Sequence, residues 1–205
     1  MSKARARKIK LLLFDVDGVM TDGKLWIFPN PPLPKAGKGG APSGKGGAPR
    51  LPGLKLDEIE AKGFHAHDGT AISLARLGGV KTGLITKRIS ETVALRARDL
   101  KLEHVYQGVE VKVRVFEEIL AKEKLAAEAV AYMGDDVIDL PIMRRCGFAI
   151  AVANARDEVK QEAQWVTPHA GGEGAIRDAV EYILKAQGSW AAVVEQYLAR
   201  GDAPK

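Results

Sequence analysis

The sequence predicts an α/β fold in which a doubly wound parallel sheet is covered by helices on both faces. Short apolar runs alternate with longer segments of helical periodicity, an order that produces parallel strands joined by crossover helices. Two of these runs, residues 11–14 and 129–133, are hydrophobic throughout and are followed by clusters of Asp and Gly. Central strands of a parallel sheet are buried on both faces and have this composition. A chain of 205 residues with 46% hydrophobic residues is expected to form one domain over 1–205.

The first predicted strand, 11–14, leads directly into Asp15, Asp17 and Gly18. In open α/β sheets, ligands bind at the carboxyl ends of the strands, where the following loops leave a crevice. Two carboxylates two residues apart repel each other and lose hydration when they are buried, so they require a compensating cation. An oxygen-rich site of this kind suits Mg²⁺. The alternative is that Asp15 and Asp17 only stabilise a turn.

A small projecting β-hairpin is predicted next, with residues 23–28 leaving the sheet and residues 54–59 returning beside them. The segment between them, 29–53, consists mainly of Pro, Gly, Lys and Ala. It has few side chains to bury and cannot offset the entropy lost on ordering, so we expect it to be flexible. It is either a tolerated insertion at the hairpin tip or a mobile lid or partner-binding segment.

Two histidines precede the first long helix. His65 and His67 alternate before a helix predicted over 70–77, for which Asp68 is the expected N-cap and Gly78 the C-cap. The alternation predicts that both imidazoles share one face of an extended strand. Because a zinc site would need further ligands, contact with a substrate is the preferred interpretation.

The rest of the chain continues the alternation of strands and helices. Strands are predicted over 80–85, 104–107, 129–133, 148–152 and 165–167. Helices are predicted over 91–100 with Ser90 as the cap, over 113–124 opened by Lys112, over 154–163 capped by Asn154, and from the glycines at 171–174 to 187.

Thr86, Arg88 and Lys112 are candidate phosphate ligands on chemical grounds. Thr86 and Arg88 follow the strand 80–85, where a hydroxyl can bind a phosphate oxygen and a guanidinium offers a planar fork of donors. Lys112 lies in the first turn of a helix, where a cation opposes the helix dipole, so another task is indicated, such as neutralising negative charge. The alternatives are a structural Thr86 and a solvated surface Lys112.

A second acidic cluster, GDDVID at 134–139, follows the strand 129–133. Because the carboxyl ends of parallel strands meet at one edge of a sheet, this cluster is expected beside the first one. Asp135 is the expected direct ligand of Mg²⁺, while Asp136 and Asp139 would hold metal-bound water or orient the ligands. The full set of expected metal-site residues is Asp15, Asp17 through its backbone carbonyl, Asp135, Asp136 and Asp139.

These motifs resemble those of the haloacid dehalogenase superfamily. The stretch DVDGVMT at 15–21 is similar to its first motif and GDDVID to its fourth, while Thr86 and Lys112 match its second and third. The resemblance implies a phosphatase in which Asp15 is the nucleophile and forms an aspartyl phosphate, and Asp17 is the general acid and base. Thr86 would bind a phosphate oxygen, and Lys112 would neutralise the phosphate and the Asp15 carboxylate.

Within the superfamily, the chain is similar to a family of small phosphatases that hydrolyse the 8-phosphate of the sugar acid 3-deoxy-D-manno-octulosonate (KDO), a precursor of lipopolysaccharide. The similarity covers nearly the whole chain except 29–53 and the termini. It implies a core domain with no large cap domain and Mg²⁺-dependent hydrolysis of that ester. It also implies a homotetramer, built through the hairpin, in which neighbouring subunits help to close each active site.

Two positions differ from that family's usual sequence. His67 stands where the family usually has Arg, and Lys87 where it usually has Gly. Arg binds a carboxylate bidentately at any pH, whereas neutral His donates fewer hydrogen bonds, and Lys87 would supply the missing charge. We therefore expect His67, Lys87 and Arg88 to bind the substrate. The alternatives are a phosphatase for another sugar-acid phosphate, such as a nonulosonate 9-phosphate, and a non-catalytic scaffold that retains the fold.

The charge distribution argues against nucleic acid as a partner. The formal net charge is +5, but ten of the 31 basic residues lie in 1–10 and 29–56, which contain no acidic residue, so the remainder is acidic. A basic face interleaved with aromatics, typical of nucleic-acid modules, is missing, as is a segment of membrane-spanning length. The single cysteine, Cys146, excludes an internal disulfide and is expected to be a buried thiol. We expect a cytoplasmic enzyme with no nucleic-acid or membrane partner.

Overall fold

The computed structural model describes residues 2–29 and 58–201. The predicted flexible segment 29–53 therefore lies outside the described residues except for Pro29, which ends a strand. The strands are β1 Leu11–Phe14, β2 Trp26–Pro29, β3 Glu58–Ala61, β4 Lys81–Ile85, β5 His104–Tyr106, β6 Val130–Gly134, β7 Phe148–Ala151 and β8 Trp165–Val166. The α-helices are α1 Ser2–Ala6, α2 Ala66–Leu77, α3 Glu91–Leu100, α4 Lys112–Glu123, α5 Leu140–Met143, α6 Asp157–Glu162, α7 Ala175–Gln187 and α8 Trp190–Gly201, and 3-10 turns span Ala127–Ala129 and Val137–Asp139.

Six strands form one parallel sheet in the order β5-β4-β1-β6-β7-β8. The chain runs outward from β1 to β5, then returns across the sheet and runs outward in the other direction from β6. The order therefore reverses between β1 and β6, and this reversal opens a crevice at the carboxyl ends of these two strands. The doubly wound parallel sheet predicted from the sequence is confirmed.

The two strands at the reversal are also the centre of the hydrophobic core. All four residues of β1 and all five of β6 are buried, as uninterrupted apolar runs require. On one side, α2 packs against α7, which also contacts α1 and α8, while α4, α5 and α6 pack together in a second layer. Core packing therefore fixes the ends of β1 and β6 with respect to each other.

The projecting hairpin is present as an antiparallel pair, β2 and β3, with Trp26 opposite Ala61. Both strands begin three or four residues later than predicted. The pair is separate from the main sheet and leaves large apolar side chains exposed: Leu25 (43%), Trp26 (55%), Ile27 (51%), Phe28 (48%) and Ile59 (48%). Within residues 2–29 and 58–201, no insertion of cap-domain size accompanies this hairpin. We call the exposed side chains of Leu25, Trp26, Ile27, Phe28 and Ile59 the hairpin patch.

The predicted cap of α2 was wrong. The helix begins at Ala66, with His65 at the N-cap position, so Asp68 lies inside the first turn. Its carboxylate accepts a hydrogen bond from the Arg177 backbone N–H at 2.8 Å. Asp68 therefore caps an N–H group in the first turn of α7 and not one of its own helix. His65 and His67 therefore do not share a strand face; their rings meet edge to face with centroids 4.9 Å apart.

The predicted cap of α6 was also wrong, for a similar reason. The helix begins at Asp157, and the side-chain oxygen of Asn154 accepts the Gly171 N–H at 2.8 Å. In both cases the polar side chain binds a backbone group distant in sequence. The other two capping predictions are confirmed: Gly78 is the C-cap of α2, and the Ser90 side chain accepts the Val93 N–H at the start of α3. The described helices include none that combines the length and hydrophobicity needed to cross a bilayer.

Candidate active site and metal centre

Three carboxylates meet in the crevice between β1 and β6. Each of Asp15, Asp135 and Asp139 offers one oxygen atom, and these atoms all lie within 4.8 Å of one another. Asp15 directly follows β1 and its backbone N–H donates to the Met133 carbonyl, while Asp135 directly follows β6. The predicted neighbourhood of the two acidic clusters is thus present in the structure.

Two glycines allow this approach. A Cβ atom on Gly18 would lie 2.1 Å from an Asp135 carboxylate oxygen, and the φ of Gly18 is +87°, a conformation that side chains disfavour. A Cβ on Gly134 would lie 2.4 Å from the Cβ of Asp139. Glycine at 18 and 134 is therefore required for the carboxylates to converge.

Asp139 is completely buried and every contact it makes holds a neighbour in place. Its Oδ1 accepts from the Tyr132 hydroxyl at 2.7 Å and from Lys112 Nζ at 2.8 Å. Its Oδ2 accepts the backbone N–H of Asp135 at 3.1 Å. This carboxylate therefore orients both Lys112 and the loop that carries Asp135, which fits the orienting role predicted for it.

Lys112 is buried beside the carboxylates and pairs with two of them. Its Nζ lies 2.6 Å from Asp15 Oδ2 and 2.8 Å from Asp139 Oδ1. Burial by itself would lower the pKa of Lys112, but the Asp139 and Asp15 carboxylates raise it overall, so it stays charged. The helix opening predicted for Lys112 is confirmed, and its conflict with the helix dipole is offset by these two anions.

The single positive charge of Lys112 does not neutralise three carboxylates. The pKa values of Asp15 and Asp135 are accordingly raised. Burial and the nearby Asp139 raise the pKa of Asp15 to about 6, with Lys112 opposing the shift. Burial, together with Asp139 and Asp15, raises the pKa of Asp135 to about 7. A hard divalent cation with oxygen ligands would remove this penalty, so the donor set fits Mg²⁺.

Asp17 and Asp136 lie near this group, but their carboxylates are engaged elsewhere. Asp136 is exposed and its side chain accepts the Val137 N–H at 2.7 Å, capping the 3-10 turn. Asp17 contacts the ammonium of Lys62 and lies 3.6 Å from the Nε of Arg88. The carboxylate of Asp17 is thus separate from the three-carboxylate group.

The remaining predicted residues lie at the same edge of the sheet or around it. Thr86 is buried directly after β4, and its backbone bonds to Tyr106 and Val109 fix it there. Arg88 is 44% exposed, and Lys87 is 56% exposed and lies 3.4 Å from Glu110. His67 is exposed in the first turn of α2, where its ring contacts that of His65.

Two residues of the site, Lys62 and Tyr132, were not predicted from the sequence. Tyr132 could have been identified from the sequence, because a phenol in a strand buried on both faces needs a hydrogen-bond partner. No sequence pattern indicates Lys62, because it follows the hairpin and contacts Asp17 only through the tertiary fold. Cys146 is not part of the site; it is buried, and burial raises the pKa of its thiol to about 12.

Comparison with known proteins agrees with this geometry. A family model described as haloacid dehalogenase-like hydrolase matches residues 88–179. Curated relatives include the 3-deoxy-D-manno-octulosonate 8-phosphate phosphatase KdsC of Escherichia coli K12, with 35% identity over 90% of this chain and 84% of the relative. The same enzyme of Salmonella typhi is 35% identical over the same shares of the two chains.

Solved structures give the same assignment. The 3-deoxy-D-manno-octulosonate 8-phosphate phosphatase of Yersinia pestis has a TM-score of 0.77 and 32% identity, covering 93% of this chain and 88% of its own. That of Moraxella catarrhalis, solved with magnesium, phosphate and KDO, has a TM-score of 0.78 and 29% identity over 95% and 97% of the two chains. The chain therefore belongs to the 3-deoxy-D-manno-octulosonate 8-phosphate phosphatase family of the haloacid dehalogenase-like hydrolases.

Proposed function

We propose that this protein is a Mg²⁺-dependent phosphomonoesterase that converts KDO 8-phosphate to KDO and phosphate. The observation that carries the proposal is the convergence of Asp15, Asp135 and Asp139 at the reversal of the sheet, with Lys112 paired to Asp15 and Asp139. The substrate is supported by the relatives, which are named for this reaction, and by the Moraxella structure, which holds magnesium, phosphate and KDO.

Asp15 is proposed as the nucleophile. Its Oδ1 accepts the Val16 N–H at 2.7 Å, and its Oδ2 pairs with Lys112, so the side chain is held in one orientation. A carboxylate oxygen attacks phosphorus, the bond from phosphorus to the sugar oxygen breaks, and an aspartyl phosphate forms. Lys112 offsets the negative charge that the approaching phosphate adds.

Asp17 is proposed as the general acid and base. It gives a proton to the departing sugar oxygen in the first half-reaction. It then takes a proton from the water that attacks the phosphorus of the aspartyl phosphate, which releases phosphate and restores the Asp15 carboxylate. Its carboxylate is separate from the three-carboxylate group and is held by Lys62 and Arg88.

The metal would be held by Asp15, Asp135 and the backbone carbonyl of Asp17, with Asp136 and Asp139 orienting water or ligands. When bound, Mg²⁺ supplies the positive charge that lets an anionic nucleophile approach an anionic phosphate. Thr86 is proposed to donate a hydrogen bond from its hydroxyl to a phosphate oxygen, because it is fixed at the end of β4 beside β1. His67, Lys87 and Arg88 are proposed to bind the sugar acid.

The hairpin patch supports a homotetramer. Five large apolar side chains, each 43 to 55% exposed, lie on or directly before the strands of a two-stranded element that is separate from the main sheet. Trp26, Phe28 and Ile59 share one face of this pair, and exposed apolar surface of this kind is typical of an interface. We further propose that the chain acts in the cytoplasm as a single hydrolase unit.

A substrate panel tests the function. Phosphate release from KDO 8-phosphate, a nonulosonate 9-phosphate and simple sugar phosphates is measured with Mg²⁺, with EDTA, and for Asp15→Asn. The proposal predicts that KDO 8-phosphate is the best substrate and that both EDTA and Asp15→Asn abolish turnover. A clear preference for another ester contradicts the substrate. If no ester is hydrolysed, the chain is a scaffold that retains the fold.

A further inference from the structure

The side chain of Lys62 is buried although this residue directly follows a strand of the projecting hairpin. It follows β3 directly, and its side chain is 1% exposed, whereas Ile59 in the same strand is 48% exposed. A buried ammonium is costly unless it is paired and hydrogen-bonded. The partners of Lys62 therefore indicate why it is buried.

Those partners form a closed ring of alternating charge. Lys62 Nζ contacts Asp17 Oδ1 and lies 3.5 Å from Glu60 Oε1. Arg88 closes the ring, with one guanidinium nitrogen 3.1 Å from Glu60 Oε1 and its Nε 3.6 Å from Asp17 Oδ2. We call these four residues the charge ring. Two cations and two carboxylates balance each other.

The ring joins three separate parts of the fold. Asp17 follows β1, Glu60 and Lys62 belong to the base of the hairpin, and Arg88 follows β4. The hairpin end is anchored on α3, because the Thr92 hydroxyl donates to the Glu60 backbone carbonyl at 3.2 Å. Lys62 is almost fully buried while Arg88 is 44% exposed, so Lys62 is the more tightly held contact of Asp17.

We propose that Lys62 is a positioning residue that fixes the Asp17 carboxyl for proton transfer to and from the reacting oxygens. This inference rests on the proposed function, in which Asp17 is the general acid and base. Glu60 shares the ammonium, so two carboxylates hold Lys62 in place beside Asp17. Lys62 thus acts through Asp17: among the described residues its ion pairs are with Asp17 and Glu60, and not with the three-carboxylate group.

The test uses aryl phosphates that differ in leaving group and lack any sugar acid: phenyl, p-chlorophenyl and p-nitrophenyl phosphate. Values of kcat/KM report the first half-reaction, and a poor leaving group needs the general acid more than a good one. For Lys62→Met, kcat/KM is expected to fall about 100-fold with phenyl phosphate and only a few-fold with p-nitrophenyl phosphate, since general acids contribute about 10²- to 10⁴-fold.

A double-mutant cycle separates positioning from a general structural effect. In an Asp17→Asn background, Lys62→Met is expected to cause no further loss, because Lys62 acts through Asp17. Lys62→Arg, which keeps the charge, is expected to recover part of the activity. The matched control is Lys81→Met, which removes a lysine paired with Glu123 at the start of β4, and it should leave the leaving-group dependence unchanged.

Equal losses across the aryl series, or additive losses in the cycle, would overturn the inference and assign Lys62 a structural role. Thermal unfolding and Mg²⁺ binding by calorimetry show whether each variant is folded and holds the metal. If wild type hydrolyses the aryl phosphates but not KDO 8-phosphate, only the proposed substrate fails. If wild type hydrolyses neither class, the proposed function fails and the inference falls with it.

Discussion

The hydroxyl of Tyr132 donates a 2.7 Å hydrogen bond to Asp139, and both side chains are completely buried. Tyr132 comes from the middle of β6, so the core itself holds the carboxylate that orients Lys112 and the Asp135 loop. Polar groups behind metal ligands commonly determine how well the ligands are placed.

Replacing Tyr132 by Phe should therefore weaken metal binding without unfolding the protein. We expect Mg²⁺ affinity to fall about 10-fold and the free energy of unfolding to fall by about 1 kcal/mol, measured by calorimetry and denaturant titration. Tyr182→Phe is the control, because Tyr182 stacks on Trp165 away from the site. Unchanged Mg²⁺ affinity in Tyr132→Phe would contradict this account.

Gly18→Ala should abolish the metal site through one added carbon. The new Cβ would collide with the Asp135 carboxylate, and the backbone φ of +87° is unfavourable for Ala. We expect Mg²⁺ affinity and activity to fall at least about 100-fold. Gly79→Ala separates strain from collision, because Gly79 has a φ of +76° but open space around it. That variant should lose only about 1 kcal/mol of stability and remain active.

The stability of the metal-free protein should decrease as the pH rises. Asp15 and Asp135 have pKa values raised to about 6 and about 7, above the ordinary 3.8 that applies when the chain is unfolded. The folded state therefore binds more protons than the unfolded state between about pH 4 and 7, and these two groups disfavour folding once ionised. Mg²⁺ should then raise Tm more at pH 8 than at pH 5.5.

Differential scanning calorimetry with EDTA or Mg²⁺ at the two pH values checks this expectation. Asp135→Asn serves as the matched variant: it should be more stable than wild type at pH 8 in EDTA, and its Tm should respond little to Mg²⁺. A metal-free wild type that becomes more stable from pH 5.5 to pH 8 would show that other groups dominate the titration.

Charge placed in the hairpin patch should break the proposed tetramer. Trp26→Lys with Phe28→Lys puts two ammonium groups where apolar side chains would be buried between subunits. We expect sedimentation velocity to show a smaller species for this variant than for wild type. Leu95→Lys is the control, because Leu95 is 45% exposed on α3, outside the patch. A wild type that sediments as a monomer would remove the basis for the interface.

Most of the sheet and the acidic centre could be predicted because their signals are local. The buried strands β1 and β6 are hydrophobic runs that end in acidic motifs, and parallel topology brings such ends together. The caps at Asp68 and Asn154 were wrong because both side chains bind N–H groups more than ten residues away. Lys62 was missed for the same reason, since its contact with Asp17 spans the hairpin. Side-chain contacts of this range have no signature in neighbouring residues.

The placement of Asp15 and Asp135 directly after two fully buried central strands, β1 and β6, bears on how the protein loses activity. Strands in the centre of a sheet are usually the last to exchange their amide hydrogens, because they open only with the whole domain. Local fraying of the outer strand β8 or of α8 would leave the acidic centre assembled. Heat inactivation should therefore coincide with global unfolding.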